Sequence, residues 1–200
     1  MSSSVLWYAT RATGLVALVM LSATTVLGIL TANRATSPRW PGFALQDLHR
    51  RISVITMGFL ACHIVTSVID TYVHIGWASI VVPFASSYKR VWVALGSVGV
   101  DLLLAVAVTS WLRPKIRART WRAVHWLAYL SWPVALSHSF GMGTDMGQSW
   151  VIGLVLCCIA AVLGAALWRL WLAARRKRRA LVFVPVHHRP AGVPVKHISA

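Results

Sequence analysis

The chain has 200 residues, 58% of them hydrophobic and only 12% charged, with a mean hydropathy of +0.67. A soluble domain carries about 25% charged residues and a disordered chain needs low hydrophobicity, so both are excluded. Twenty Lys and Arg face four acidic residues, all Asp, for a formal charge of +16. In so apolar a chain that excess belongs on the cytoplasmic side of a membrane protein and not on nucleic acid.

Five segments are apolar over the about 20 residues that a helix needs to cross about 30 Å of hydrocarbon. They are residues 5–30, 48–73, 91–112, 121–140 and 150–172. The expected fold is an all-α membrane protein, a bundle of about five transmembrane helices within residues 1–174, followed by a basic cytoplasmic tail, 175–200. The first segment is too long for a signal-peptide core and has no convincing cleavage site, so it reads as a retained span.

Topology follows from the connections. Arg34, Arg39, Arg50 and Arg51 lie between spans one and two, and Arg113, Lys115, Arg117, Arg119 and Arg122 between three and four. Arg175, Arg176, Lys177, Arg178 and Arg179 follow span five. The other side carries Lys89 and Arg90. The expected arrangement is N-terminus outside and C-terminus in the cytoplasm, in the cell membrane. Trp7, Trp40, Trp77, Trp121, Trp150, Trp168 and Trp171 fall near span ends, as an interfacial belt requires.

Residues 75–84, interrupted by Gly76 and Pro83, predict a short cap on the outer side. The tail, with His187, His188 and His197, is too small to fold alone. Its Arg/Lys run serves as a stop signal or as an anionic-lipid contact. Cys62, Cys157 and Cys158 sit inside apolar runs with no C-x-x-C, which disfavours a disulfide or thiolate-zinc scaffold. C-x-x-C-H is also missing, so any haem binds without thioether links.

Ionisable residues inside a membrane are costly and mark functional sites by default. Span two carries His49 and His63 in an H-x13-H pattern, and span four carries His125 and His138 in an H-x12-H pattern. A spacing of 14 returns to within about 40° of one helix face and rises about 21 Å, whereas a spacing of 13 drifts by about 140°. Pro133, between His125 and His138, offers a kink or bulge to restore the phase. The two spans run in the same direction, so His49 can face His125 and His63 can face His138. Two histidines on facing helices make a bis-axial cage for haem iron. The alternative is a haem-free transporter, channel or membrane anchor whose histidines serve ions or helix packing.

The segments LHRRISVITMGFLACHIVTSVID and YKRVWVALGSVGVDLLLAVAVTSWLRPKIRARTWRAVHWLAYLSWPVALSHSFGMGTD resemble a ferric reductase-like transmembrane domain. That haem-bearing core is shared by ferric reductases, NADPH oxidases and the bacterial methionine-sulfoxide-reductase haem subunit. The resemblance covers roughly residues 5–172 and rests on the spacings His49/His63 and His125/His138. It implies two b-type haems, an inner one on His49 and His125 and an outer one on His63 and His138. Electrons would run outward from a separate flavoprotein or quinol donor to an extracytoplasmic acceptor: ferric iron, oxygen or a partner reductase. Relatives of the reductase and oxidase type carry an FAD- and nicotinamide-binding module that this chain lacks, and many have six spans. The chain therefore reads as the electron-transfer subunit of an oxidoreductase.

Arg50, Arg51 and Arg122 lie within three residues of the inner histidines and are candidates for haem propionates. Positive-inside charge accounts for them equally. Lys89 and Arg90 are the corresponding outer candidates. Gly14, Gly28, Gly58, Gly96 and Gly99 either admit a flat macrocycle or serve helix packing. Trp132 lies between the rungs, as a bridge or as packing. Asp101 takes up a proton or a hydrogen bond to a neighbouring helix, and Asp70, His74 and Asp145 are candidates for a cation or protons at the outer end.

Overall fold

A computed structural model describes residues 3–32, 41–70, 75–145 and 147–182. Arg34, Arg39, Trp40, His74 and the histidines of the tail lie outside these residues. Six α-helices follow in chain order: α1 (Ser3–Ala32), α2 (Gly42–Ile69), α3 (Arg90–Trp111), α4 (Ala118–His125), α5 (Leu127–Met142) and α6 (Ser149–Val182). Hydrocarbon offers no hydrogen-bond partner to a backbone, so an apolar run inside it must close its own bonds as a helix. Buried hydroxyls follow the same rule: Ser22, Thr25 and Thr56 donate to the carbonyls of Leu18, Leu21 and Ile52 at 2.8, 2.8 and 2.7 Å.

Four helices are long and apolar enough to span: Val5–Ala32, Gly42–Ile69, Arg90–Trp111 and Ser149–Arg178. Together with an all-helical fold this makes the chain a multi-pass membrane protein. The segment expected as the fourth of five spans, 121–140, is instead divided between α4 and α5 at Trp126. Its first residues belong to α4, a short helix that includes Arg119, Arg122 and His125 among apolar neighbours. Such a helix keeps one polar face wet. What remains, α5, has 16 residues, roughly 24 Å of helix. Trp126 keeps right-handed helical angles, φ −63° and ψ −23°, so the break is a bend and not a loop. Tyr129 N–H bonds back to the Trp126 carbonyl at 3.0 Å. The chain then continues as helix through Pro133.

Helix α1 packs against α2, α5 and α6, while α3 packs on α5 and α4. Leu18 of α1 meets Val151 and Val155 of α6, and Leu21 meets Trp132 of α5 and Val162 of α6. Trp132, raised above as a bridge between the rungs, is buried and donates its indole N–H to Ser22 Oγ at 2.9 Å. The expected cap takes the form of a single-turn 3-10 helix, Trp77–Ile80, held by Ser97 Oγ on the Ser79 carbonyl at 2.5 Å. Helix α6 runs to Val182, so the basic run of 175–179 continues it as helix beyond the apolar stretch. Large apolar side chains such as Val54, Leu104, Leu130, Leu156, Leu163 and Leu167 point outward, where lipid covers them.

Ser22 accepts the indole hydrogen bond and is itself 3% exposed. Ser22→Ala therefore strands a buried donor and lowers stability by about 1–3 kcal/mol, read as an earlier unfolding transition in detergent; an unchanged transition contradicts this packing.

Candidate functional site

The four membrane histidines meet in two pairs. His49 faces His125, and His63 faces His138, with ring centroids 6.4 Å apart in both pairs and planes crossed at 74° and 83°. The bend at Trp126, directly after His125, supplies the change of phase that the His125/His138 spacing needs. The expectation of a phase correction is met, but two helical turns upstream of Pro133. Among the described residues α2 packs closely on α1 alone, so the histidine pairs bridge a gap between α2 and the α4–α5 arm.

Three of the four rings are anchored alike. His49 Nδ1 lies 3.1 Å from the Thr24 carbonyl, His63 Nδ1 2.9 Å from that of Thr10, and His138 Nδ1 2.7 Å from that of Trp92. A carbonyl can only accept, so Nδ1 carries the proton in each and Nε2 is left with its lone pair. Each acceptor stands at position i−4 from a glycine: Thr24 before Gly28, Thr10 before Gly14, Trp92 before Gly96. A helix carbonyl points at residue i+4, whose side chain would ordinarily shield it. A Cβ on Gly14 or Gly96 would come within 2.9 or 2.7 Å of the His63 or His138 Cε1, and one on Gly28 within 3.4 Å of His49 Cε1. These glycines thus admit the imidazoles. Gly99 meets only a Val134 methyl at 3.7 Å, and Gly58 meets nothing within 4 Å.

His125 differs. Its Nδ1 is buried without a hydrogen-bond partner among the described residues, as is Trp121 Nε1. The two rings stack at 4.8 Å and 26°, and the Arg113 guanidinium lies 4.5 Å from the centre of the Trp121 ring.

The donor set tests what fits between the pairs. Two metal–imidazole bonds of about 2.0–2.1 Å, plus about 1.2 Å from each nitrogen to its ring centre, span about 6.5 Å, close to the separation in both rungs. No group of three or more His, Cys, Asp or Glu able to hold a metal occurs among the described residues. Two ligands are too few for a bare zinc ion, which takes four, but suffice for iron whose other ligands come from a porphyrin. Neutral, carbonyl-oriented imidazoles are the form that ligates. Haem fits these residues.

A cavity of about 330 Å³ surrounds the His63–His138 rung, lined by residues of α1, α2, α3 and α5, within the about 300–1,000 Å³ of cofactor sites. Arg11 lines it, one turn from Gly14, and is paired with Asp145. Sequence reasoning misses Arg11 because it lies inside an apolar span; its place one turn before Gly14 is the available signal. Lys89 and Arg90, expected there, donate instead to the carbonyls of Gly141 and Phe84 at 2.9 and 3.2 Å. Asp70 also lines the cavity and is buried. At the other end Arg50 and Arg122 extend from the surface of α2 and α4, and Arg51 is paired with Asp47 at 2.7 Å in solvent. Asp101 is half-buried, does not line the cavity and has no polar partner among the described residues.

By class this is a helical multi-pass membrane protein with two crossed imidazole pairs. The family described as ferric reductase like transmembrane component matches residues 13–136. The chain belongs to this family, whose transmembrane domains usually bind haem. The match includes His49, His63 and His125 and ends two residues before His138. Neither curated proteins nor solved structures yield a match.

The glycine contacts grade the effect of an added methyl. Gly96→Ala and Gly14→Ala displace their imidazoles and each lowers bound haem to about half. Gly28→Ala, with its 3.4 Å contact, retains most of it. The haem-to-protein ratio of the purified variants checks this order; equal retention in all three contradicts it.

Proposed function

We propose that the chain is a membrane cytochrome b that carries electrons across the bilayer through two b-type haems. The observation that carries the reading is the matched pair of rungs, each with 6.4 Å between ring centroids. Bound haem supplies one-electron chemistry at iron. His49 and His125 hold the inner group, and His63 and His138 the outer one. The Thr24, Thr10 and Trp92 carbonyls fix the tautomer and plane of three rings, so that each presents Nε2 to the gap. The α2 rise of about 21 Å between His49 and His63 sets the two groups at opposite sides of the hydrocarbon.

Charge is disposed to match. Arg50, Arg51 and Arg122 serve the inner propionates, and Arg11 takes the outer role expected of Lys89 and Arg90. Apolar residues of α1, α2, α3 and α5 exclude water from the gap. The positive-inside distribution supports N-terminus outside and C-terminus in the cytoplasm, in the cell membrane. Electrons enter from a flavoprotein or quinol on the inner side and leave to ferric iron, oxygen or a partner reductase outside.

The crossed rings of each rung meet without an imidazole–imidazole hydrogen bond among the described residues, which counts against histidines that merely tie helices together. Purified protein produced with ample haem is expected to show low-spin b-type bands in a reduced-minus-oxidised spectrum. About two haems per chain should fall to about one in His63→Ala or His138→Ala, with the inner group retained. A folded, haem-free wild-type preparation would sink the proposal, and undiminished haem in both variants would break the pairing.

A further inference from the structure

The two rungs are not equivalent, and the difference lies in His125. The step from one rung to the other, about four helical turns, leads along α3 from Trp92 and Gly96 to Val106 and Ser110. Glycine is missing from the place where it would open a carbonyl, and His125 Nδ1 is left without an acceptor among the described residues. The ring is still confined, because it lies at 4.8 Å against Trp121, and the Arg113 guanidinium lies 4.5 Å from the centre of that indole.

Resting on the haem reading above, we infer that Trp121 is the positioning residue for His125 and that the Arg113–Trp121 stack makes the inner centre the more electron-poor of the two. Two effects act in the same direction. An imidazole whose Nδ1–H bonds to a carbonyl is the more basic ligand, and His125 alone among the four has no such bond. A cation near the iron favours the reduced form, which carries one positive charge fewer. Arg113 and His125 both lie against the Trp121 ring, at 4.5 and 4.8 Å from its centre. At the His63–His138 rung both imidazoles have carbonyl partners, and the nearby Arg11 is neutralised by Asp145. The outer iron thus lacks both effects.

The test uses the full-length protein with both haems, each redox component being assigned through the His138→Ala variant. Arg113→Gln removes the cation and is expected to shift the inner midpoint potential downward while the outer one stays in place. Trp121→Leu removes the stack and is expected to release the inner haem to a scavenging apoprotein about ten- to a hundredfold faster, the range seen when outer-shell partners of a metal ligand are lost. The outer haem should leave at the wild-type rate. Trp121→Phe, which keeps an aromatic face against His125, is expected to restore slow release. If Trp121→Leu does not accumulate, the Arg113→Gln potential decides alone. Unmoved potentials in Arg113→Gln, together with unchanged release in Trp121→Leu, overturn the inference and leave the two-haem reading standing. A wild-type protein without haem overturns that reading instead.

Discussion

The hydrogen bond on which the site depends runs from an imidazole N–H to a helix carbonyl that a glycine has left open. In hydrocarbon an unpaired polar group costs several kcal/mol, and a helix already commits each carbonyl to its own i+4 amide. The carbonyl has a second lone pair, however, and reaching it requires only that residue i+4 carry no side chain. Thr10 with Gly14, Thr24 with Gly28, and Trp92 with Gly96 meet that requirement. Each bond sets a tautomer, a ring plane and the approach of two helices at once. Lengthening any of them loosens the bundle and the orientation of the imidazole together.

Helix α1 carries two of these units, and they repeat with the period of its partner. Thr10 and Thr24 have the same separation in sequence as Gly14 and Gly28, and as His63 and His49 on the antiparallel α2. That separation is close to four turns, so both units lie on one face of α1 and both histidines on one face of α2. Leu18 and Leu21, four and seven residues beyond Gly14, lie close to the same stripe of α1, line the same cavity as Gly14 and pack against α6 and Trp132. The helix expected only as a first span therefore anchors two of the four paired histidines.

The histidine spacings are legible in the sequence because helical period is local. So are the apolar helices, since hydrophobic run length needs no tertiary knowledge. The fourth span reads as continuous because averaging over a whole membrane thickness hides the short polar-faced α4 inside it. Its true break at Trp126 follows from where polarity changes, whereas Pro133 draws attention to a place where the helix goes on unbroken. The carbonyl anchors are backbone atoms and have no residue code; the glycine at i+4 is their only trace. Such glycines suggest room for a macrocycle, and Gly14, Gly28 and Gly96 are instead room for imidazole. Arg11 escapes a search for charge that looks in connections and not in spans.

Charge then separates the two ends of the molecule in a way that composition alone conceals. Around His49 and His125 the nearby Arg50, Arg51, Arg113 and Arg122 are opposed by a single carboxylate among the described residues, Asp47, whose bond to Arg51 is solvent-exposed and so weak. Around His63 and His138 the order is reversed: Arg11 is matched by Asp145, and Asp70 is buried in the same cavity wall. If haem is held as proposed, a field of this sign would stabilise anionic propionates and reduced iron at the first end more than at the second. In the proposed orientation the arginines that keep one end of the bundle in the cytoplasm also bias the electronic state of the centre beside them. On the proposed reading, topology and redox poise would be set by one group of side chains, and neither could be altered without disturbing the other.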